Sequence, residues 1–156
     1  MAICEIKNGK RFICDENLLP VIQKTNWSVI ECYPGKSYVM ATIKGKTVML
    51  HRFLTHCPKG MEVDHINGNS LDNRMENLRI CTSAENKWNT RKRKKKSKDS
   101  PKYLGVFKSR GYIVASIKFH RKHINLGYFK DEVTAAKAYD AKARELRGEF
   151  AVTNFK

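Results

Sequence analysis

The chain has 156 residues, 41% of them hydrophobic and 29% charged, enough apolar content to bury a core in one ordinary domain or two small ones. Its 31 Lys and Arg against 15 Asp and Glu leave a formal charge of +16, a field that attracts polyanions and makes nucleic acid the first candidate partner. No apolar run approaches transmembrane length, no signal-peptide pattern opens the chain and no basic amphipathic helix offers a broad apolar face, so a soluble cytoplasmic protein is expected.

Residues 1 to about 55 read as short strands and turns: FICD, then WSVIECY, then GKSYVMATIKGKTVMLHRFL. The segment YVMATIKGKTVMLH alternates around Gly45, which predicts a hairpin at KGK. Trp27 here and Trp88 further on are expected to pack rather than stack on bases. The five cysteines (Cys4, Cys14, Cys32, Cys57, Cys81) include no C-x-x-C pair, so they predict reduced thiols rather than a zinc knuckle or a disulfide framework.

Next come two short strands, MEVDH ending in Asp64 and His65, and LRICT. The polar loop INGNSLDNRMEN joins them, with Asn67, Gly68, Asn69 and Asn73 expected as loop formers. Thr82 and Glu85 have capping-box spacing, which starts a helix at Thr82. Asn86 falls in its first turns, where it can point back toward the strand bearing Asp64 and His65. The local order is strand, long loop, strand, helix.

Residues 90–101, TRKRKKKSKDSP, contain no apolar residue and read as an exposed linker. Its Arg91, Arg93 and Lys94 are candidate contacts to a nucleic-acid backbone, giving affinity that is sensitive to salt but not to sequence. Regular structure resumes at Tyr103. YLGVF predicts a short strand. GYIVASIKF alternates, with Ile113, Ala115, Ile117 and Phe119 on one face and Tyr112, Val114, Ser116 and Lys118 on the other. The turn HRK leads into the strand HINLGYF. A helix follows from about Glu132 to Arg147, with Asp131 as N-cap and Gly148 as stop. Val133, Ala136, Tyr139, Ala143 and Leu146 form its predicted buried stripe. The fold class is α+β.

The Asp-His pair makes chemical sense beside Asn86. Phosphodiester hydrolysis needs a base to activate water and a cation to hold the scissile phosphate. An imidazole titrating near neutrality, His65, suits the first task. Asp64 and Asn86 offer hard oxygen donors suited to Mg²⁺ or Mn²⁺.

Asp64-His65, Asn77 in ENLR and Asn86 in SAENKWN resemble the HNH endonuclease family in its H-N-N form, over roughly residues 48 to 90. The upstream LHRFLTHCPKGMEVDHINGNSLDNRMENLRICT is similar to the phage and bacterial homing-endonuclease branch. The resemblance implies a ββα-metal unit at about residues 61–89 within a nuclease domain of residues 1–89. It also implies His65 as general base, Asn77 as its positioner, and Asp64 and Asn86 as ligands of one divalent cation. His51 and Arg52 become candidate phosphate contacts. Cysteine-rich members carry a structural zinc; without paired cysteines none is expected here.

Residues 102–156 resemble the ethylene-response-factor (APETALA-type) DNA-binding domain through YLGV, ASIKF, INLGYF, AAKAYDAKARELRG and AVTNF. That resemblance implies a three-stranded antiparallel sheet packed on one helix and laid into the major groove. Carried over by position, the candidate DNA contacts are Arg110, Ser116, Lys118, His123 and Asn125, with Lys108, Arg121 and Lys122 as phosphate contacts. Plant members carry Arg and Trp where this chain has Leu104, Phe107 and Asn125, so their preferred site does not transfer. The expected function is a metal-dependent endonuclease on double-stranded DNA, monomeric or weakly dimeric, of nicking or homing type. Its rivals are a DNA-binding regulator carrying a decayed nuclease fold and a basic RNA-binding protein.

Overall fold

The computed structural model describes residues 1–6, 9–89 and 102–155. It divides into two compact units, Met1–Asn86 and Lys87–Lys156. Both are mixed α and β with antiparallel sheets and few helices.

The first unit opens with a hairpin, β1 (Ala2–Glu5) paired to β2 (Arg11–Cys14). A short helix, α1 (Leu19–Ile22), carries a proline in its first turn, where a missing N–H costs nothing. A meander follows: β3 (Ser28–Tyr33), β4 (Lys36–Ile43) and β5 (Lys46–Met49). At its second turn Lys44 and Gly45 both have positive φ, 50° and 74°, which matches the twist of the flanking strands and realises the hairpin expected at KGK.

The apolar run after β5 is a helix, α2 (Leu50–Thr55), where the sequence had read as strand. Leu50, Phe53 and Leu54 recur at helical spacing and face a core of Phe12, Cys14, Ile22, Trp27, Val29, Val39 and Ala41. Trp27 is a packing residue, its indole N–H donating to the Ile22 carbonyl at 3.0 Å. All five cysteines are free thiols, and burial pushes Cys14 up to about 12.

Strand β6 (Glu62–His65) pairs antiparallel with β7 (Leu78–Cys81), and the helix α3 (Ser83–Trp88) follows. The Thr82 N–H and hydroxyl donate to Glu85 Oε2 at 2.7 and 2.8 Å, and the Glu85 N–H returns to Thr82 Oγ1 at 3.3 Å. That reciprocal pair is the capping box read from the sequence.

In the second unit β8 (Val106–Ser109), β9 (Tyr112–Phe119) and β10 (Lys122–Phe129) form a sheet with β9 central, and α4 (Glu132–Arg147) packs across it. The first strand starts at Val106 rather than Tyr103, because Gly105 turns the chain with φ 75°. Asp131 caps α4, accepting the Thr134 N–H at 2.7 Å, and Gly148 ends it with φ 52°. The buried stripe of α4 is Ala135, Ala136, Tyr139, Asp140 and Ala143. Val133, expected inside, is 41% exposed, because the face against the sheet is centred on Ala136 and Tyr139. Buried Asp140 accepts from the Asn154 N–H, the Asn154 amide and the Phe155 N–H, tying the C-terminal segment down. On the sheet face away from α4, Val114 sits in register between Phe107 and Tyr128, and Tyr128 packs edge-on against Tyr112.

A Cβ at Gly105 would lie 1.9 Å from Cδ2 of the Tyr139 ring. Gly105→Ala combines that clash with a left-handed backbone, and is expected to destabilise the second unit by about 2–4 kcal/mol. Thermal unfolding followed through near-UV circular dichroism checks it; a change below about 1 kcal/mol would contradict this packing.

Candidate active site

Asp64 and His65 are consecutive on β6, so their side chains leave opposite faces of the ribbon. On the Asp64 face, Arg79 stands directly across on β7 and donates from Nε and Nη2 to Asp64 Oδ2 at 2.9 and 2.7 Å. Both groups are largely buried, with side chains 6% and 12% exposed. Glu62, two residues before Asp64, shares that face, and its Oε2 accepts the Asn86 amide at 2.5 Å. Asn86 thus reaches back from α3 to the strand that bears Asp64. Cys81, opposite Glu62, is pushed up to about 11 by burial and by Asp64 and Glu62.

On the other face, His65 enters a buried ring cluster. Its imidazole lies 5.1 Å, edge to face, from that of His51 on α2 and 6.5 Å from the Tyr38 ring on β4. Tyr38 and His51 are 5.8 Å apart. Asn73, wholly buried, lies with its amide against His65 without a hydrogen bond of good geometry. Burial lowers the His65 pKa below the ordinary imidazole value, opposed by Asn73 and Asp64. Neutral imidazole, the form able to take up a proton, is favoured.

The loop between the strands is tied at both ends. Asn77 Oδ1 accepts the Asn67 N–H at 2.9 Å and its amide donates to the Asp72 carbonyl at 2.8 Å. Its carbonyl accepts the Ile66 N–H at 2.9 Å, so Asn77 holds the residue after His65 through the backbone. Arg74 and Asn67 both donate to the Asp72 carboxylate, which Arg74 holds below its ordinary range. The N-terminal segment completes the fastening. Ile13 makes a parallel bridge to Asp72, with its N–H on the Leu71 carbonyl and its carbonyl accepting from Asn73, both at 2.8 Å. Asp15 accepts the Met75 N–H at 2.8 Å, and Ser70 Oγ donates to the Ser37 carbonyl at 2.6 Å.

A family profile described as HNH endonuclease matches residues 49–88, the span from the end of β5 through α3. An uncharacterized HNH endonuclease of Acanthamoeba polyphaga mimivirus is 32% identical over 142 residues, covering 86% of this chain and 70% of that protein. The chain belongs to the HNH endonuclease family. Protein 3.8 of Escherichia phage T7 is 34% identical over 94 residues, 60% of this chain and 76% of that protein. No solved structure gives a significant match.

The HNH segment therefore contains Asp64, His65, Asn77 and Asn86, and the fold gathers them around one two-stranded ribbon. Of the candidate phosphate contacts His51 and Arg52, His51 is buried, and the half-buried Arg52 donates to the carbonyls of Met61, Cys57 and Pro58. Glu62, Arg79 and Tyr38 join the site without having been singled out, as does Asn73, expected only as a loop former. Period-two spacing could have flagged Glu62, and cross-strand register Arg79; Tyr38 had no local signal. In the sheet unit, Lys118 pairs across the strands with His123 and Ser116 with Asn125, on the face away from α4. Asn125 Oδ1 accepts the Gly127 N–H at 2.9 Å beside a bulge, while Arg110 and Arg121 occupy left-handed hairpin turns and Lys108 lies on β8. Arg91, Arg93 and Lys94 lie outside the described residues. Among those residues no helix is long and apolar enough to cross a membrane.

His51 is pushed down to about 4, chiefly by burial and then by His65 and Arg52, so it is neutral in the fold. In the unfolded chain it titrates near 6.5, so between pH 6.5 and about 4 the unfolded state holds the extra proton. Its contribution to stability is complete above pH 6.5 and is lost as pH falls toward 4, on the order of 3 kcal/mol. Denaturant midpoints measured across that window should fall steeply in the wild type and less steeply in His51→Gln. Parallel slopes would show that His51 is not the group responsible.

Proposed function

We propose that this HNH endonuclease is a divalent-metal-dependent enzyme that hydrolyses phosphodiester bonds in duplex DNA, directed there by a C-terminal domain of the ethylene-response-factor type. The observation that carries the reading is the convergence on one ribbon of a buried imidazole, His65, with a carboxylate and an amide, Asp64 and Asn86, on the ribbon's opposite face.

The donors fit a hard cation in type, since Asp64 and Asn86 bring oxygen and no thiolate is among them. Among the described residues no cluster of three or more His, Cys, Asp or Glu could hold a metal, so two protein donors would leave positions for phosphate oxygens and water. A cation bound by Asp64 and Asn86 would supply charge stabilisation at the scissile phosphate and its leaving oxygen. His65 accepts the proton of the attacking water. Asn77 and Asn73 hold its loop and ring, Glu62 orients Asn86 and Arg79 orients Asp64. One such site handles one strand, so a monomer nicks, and a double-strand break requires two chains or two events. The basic residues 90–101 and the outer sheet face, with Lys118, His123, Ser116 and Asn125, supply DNA affinity.

Supercoiled plasmid should relax in Mg²⁺ or Mn²⁺ and stay intact with chelator. His65→Ala should lower the rate by roughly 10²–10⁴-fold, as removal of a general base does, while DNA affinity stays near that of the wild type. Wild-type protein that binds duplex DNA yet leaves plasmid intact across both metals would reduce the chain to a binding protein.

A further inference from the structure

We infer that Lys36, on the N-terminal sheet, is a phosphate-binding residue of the same site, and that Tyr38 is the strut that carries it there. The inference rests on the nuclease reading and adds a group outside the family match at residues 49–88.

Lys36 and Tyr38 lie two apart on β4 and so share a face. Tyr38 uses that face to pack 6.5 Å from His65 and 5.8 Å from His51, and the Lys36 ammonium lies 5.7 Å from the Tyr38 ring centroid. The strand between them is held from both sides. Ser37 accepts the Ser70 hydroxyl at 2.6 Å, and Val39 is 1% exposed in the core. A cation thus lies over the ring that walls in His65, on a strand pinned to the loop that follows His65.

Lys36 is exposed and, among the described residues, forms no ion pair. Glu31, on the paired strand, accepts the Gly35 N–H at 2.7 Å, while Asp72 holds Arg74 and Asn67, and Asp64 holds Arg79. Its charge is nonetheless felt at His65, where it disfavours the imidazolium. A lysine serving only as a surface cation over an aromatic ring would contribute little beyond about 0.5–1 kcal/mol of local stability. A charge left uncompensated beside the site, on a chain of net charge +16, is instead suited to a phosphate of the bound strand.

The experiment compares wild type, Lys36→Ala, Lys36→Arg and, as a control for net charge, Lys24→Ala, an exposed lysine after α1. Plasmid relaxation gives kcat and KM, and duplex-DNA affinity is measured across a salt series. Lys36→Ala should lower kcat/KM by roughly 30–100-fold and reduce the slope of log affinity against log salt by about one, the signature of one lost phosphate contact. Lys36→Arg should recover both to within about threefold and Lys24→Ala should change neither, since a phosphate contact needs a cation at that place. Lys36→Ala indistinguishable from wild type, or equal losses in Lys36→Ala and Lys24→Ala, would overturn the assignment. So would a loss of folding stability that Lys36→Arg fails to restore, which makes Lys36 a packing residue of Tyr38. If the wild type cuts nothing, the nuclease reading falls and the salt slope alone decides: unchanged in Lys36→Ala it overturns the phosphate contact, and lower by about one it upholds that contact.

Discussion

Successive side chains on a strand leave opposite faces, and β6 is only four residues long. Asp64 and His65 are neighbours on it, so the chain must build two different environments back to back across one ribbon. The Asp64 side is polar and charged, with Arg79, Glu62 and Asn86 exchanging charge-assisted hydrogen bonds. The His65 side is a packed set of rings, with His51, Tyr38 and the Asn73 amide. Each environment suits a different task. One holds a carboxylate against a guanidinium, and in the other burial favours the neutral imidazole.

Neither environment is supplied by the ribbon alone. The wall around His65 comes from β4 and α2, and the loop carrying Asn73 is paired to β2. Residues before the family segment are therefore structural members of the same unit, and the short ribbon owes its shape to them. Two strands of four residues would be marginal by themselves. The core of Phe12, Trp27, Val39 and Leu50 gives them a foundation.

What was legible in the sequence was what local chemistry dictates. Thr82 and Glu85 announce a capping box, Asp131 and Gly148 bracket α4, and the alternation of GYIVASIKF sets which residues meet the helix. These signals need only a few neighbouring residues. Asp64, His65 and Asn86 stand out by residue type and local order, and Asn77 only through the resemblance to the HNH family. Features set by distant partners were not visible. Leu50–Thr55 reads as strand by β-rich context but becomes helix because Leu50, Phe53 and Leu54 find the N-terminal core. Asn73 is indistinguishable in sequence from its loop-forming neighbours Asn67 and Asn69; only its burial beside His65 sets it apart. His51 reads equally as a phosphate contact or a structural histidine, because nothing local says that Tyr38 and His65 will enclose it.

The stitch from Asp15 to Met75 joins positions 60 residues apart, and the bridge from Ile13 to Asp72 runs beside it. On a ribosome adding roughly 5–20 residues each second, the N-terminal hairpin therefore waits about 3–12 s for the loop that it will fasten. Until then Ile13 is paired only to Ile3 on β1, and its bridge to Asp72 waits for the loop. The geometry around Asp64 and His65 is thus a late product of synthesis. A nascent chain, or one broken off before Met75, carries Asp64 and His65 without the fastening that gives them their places.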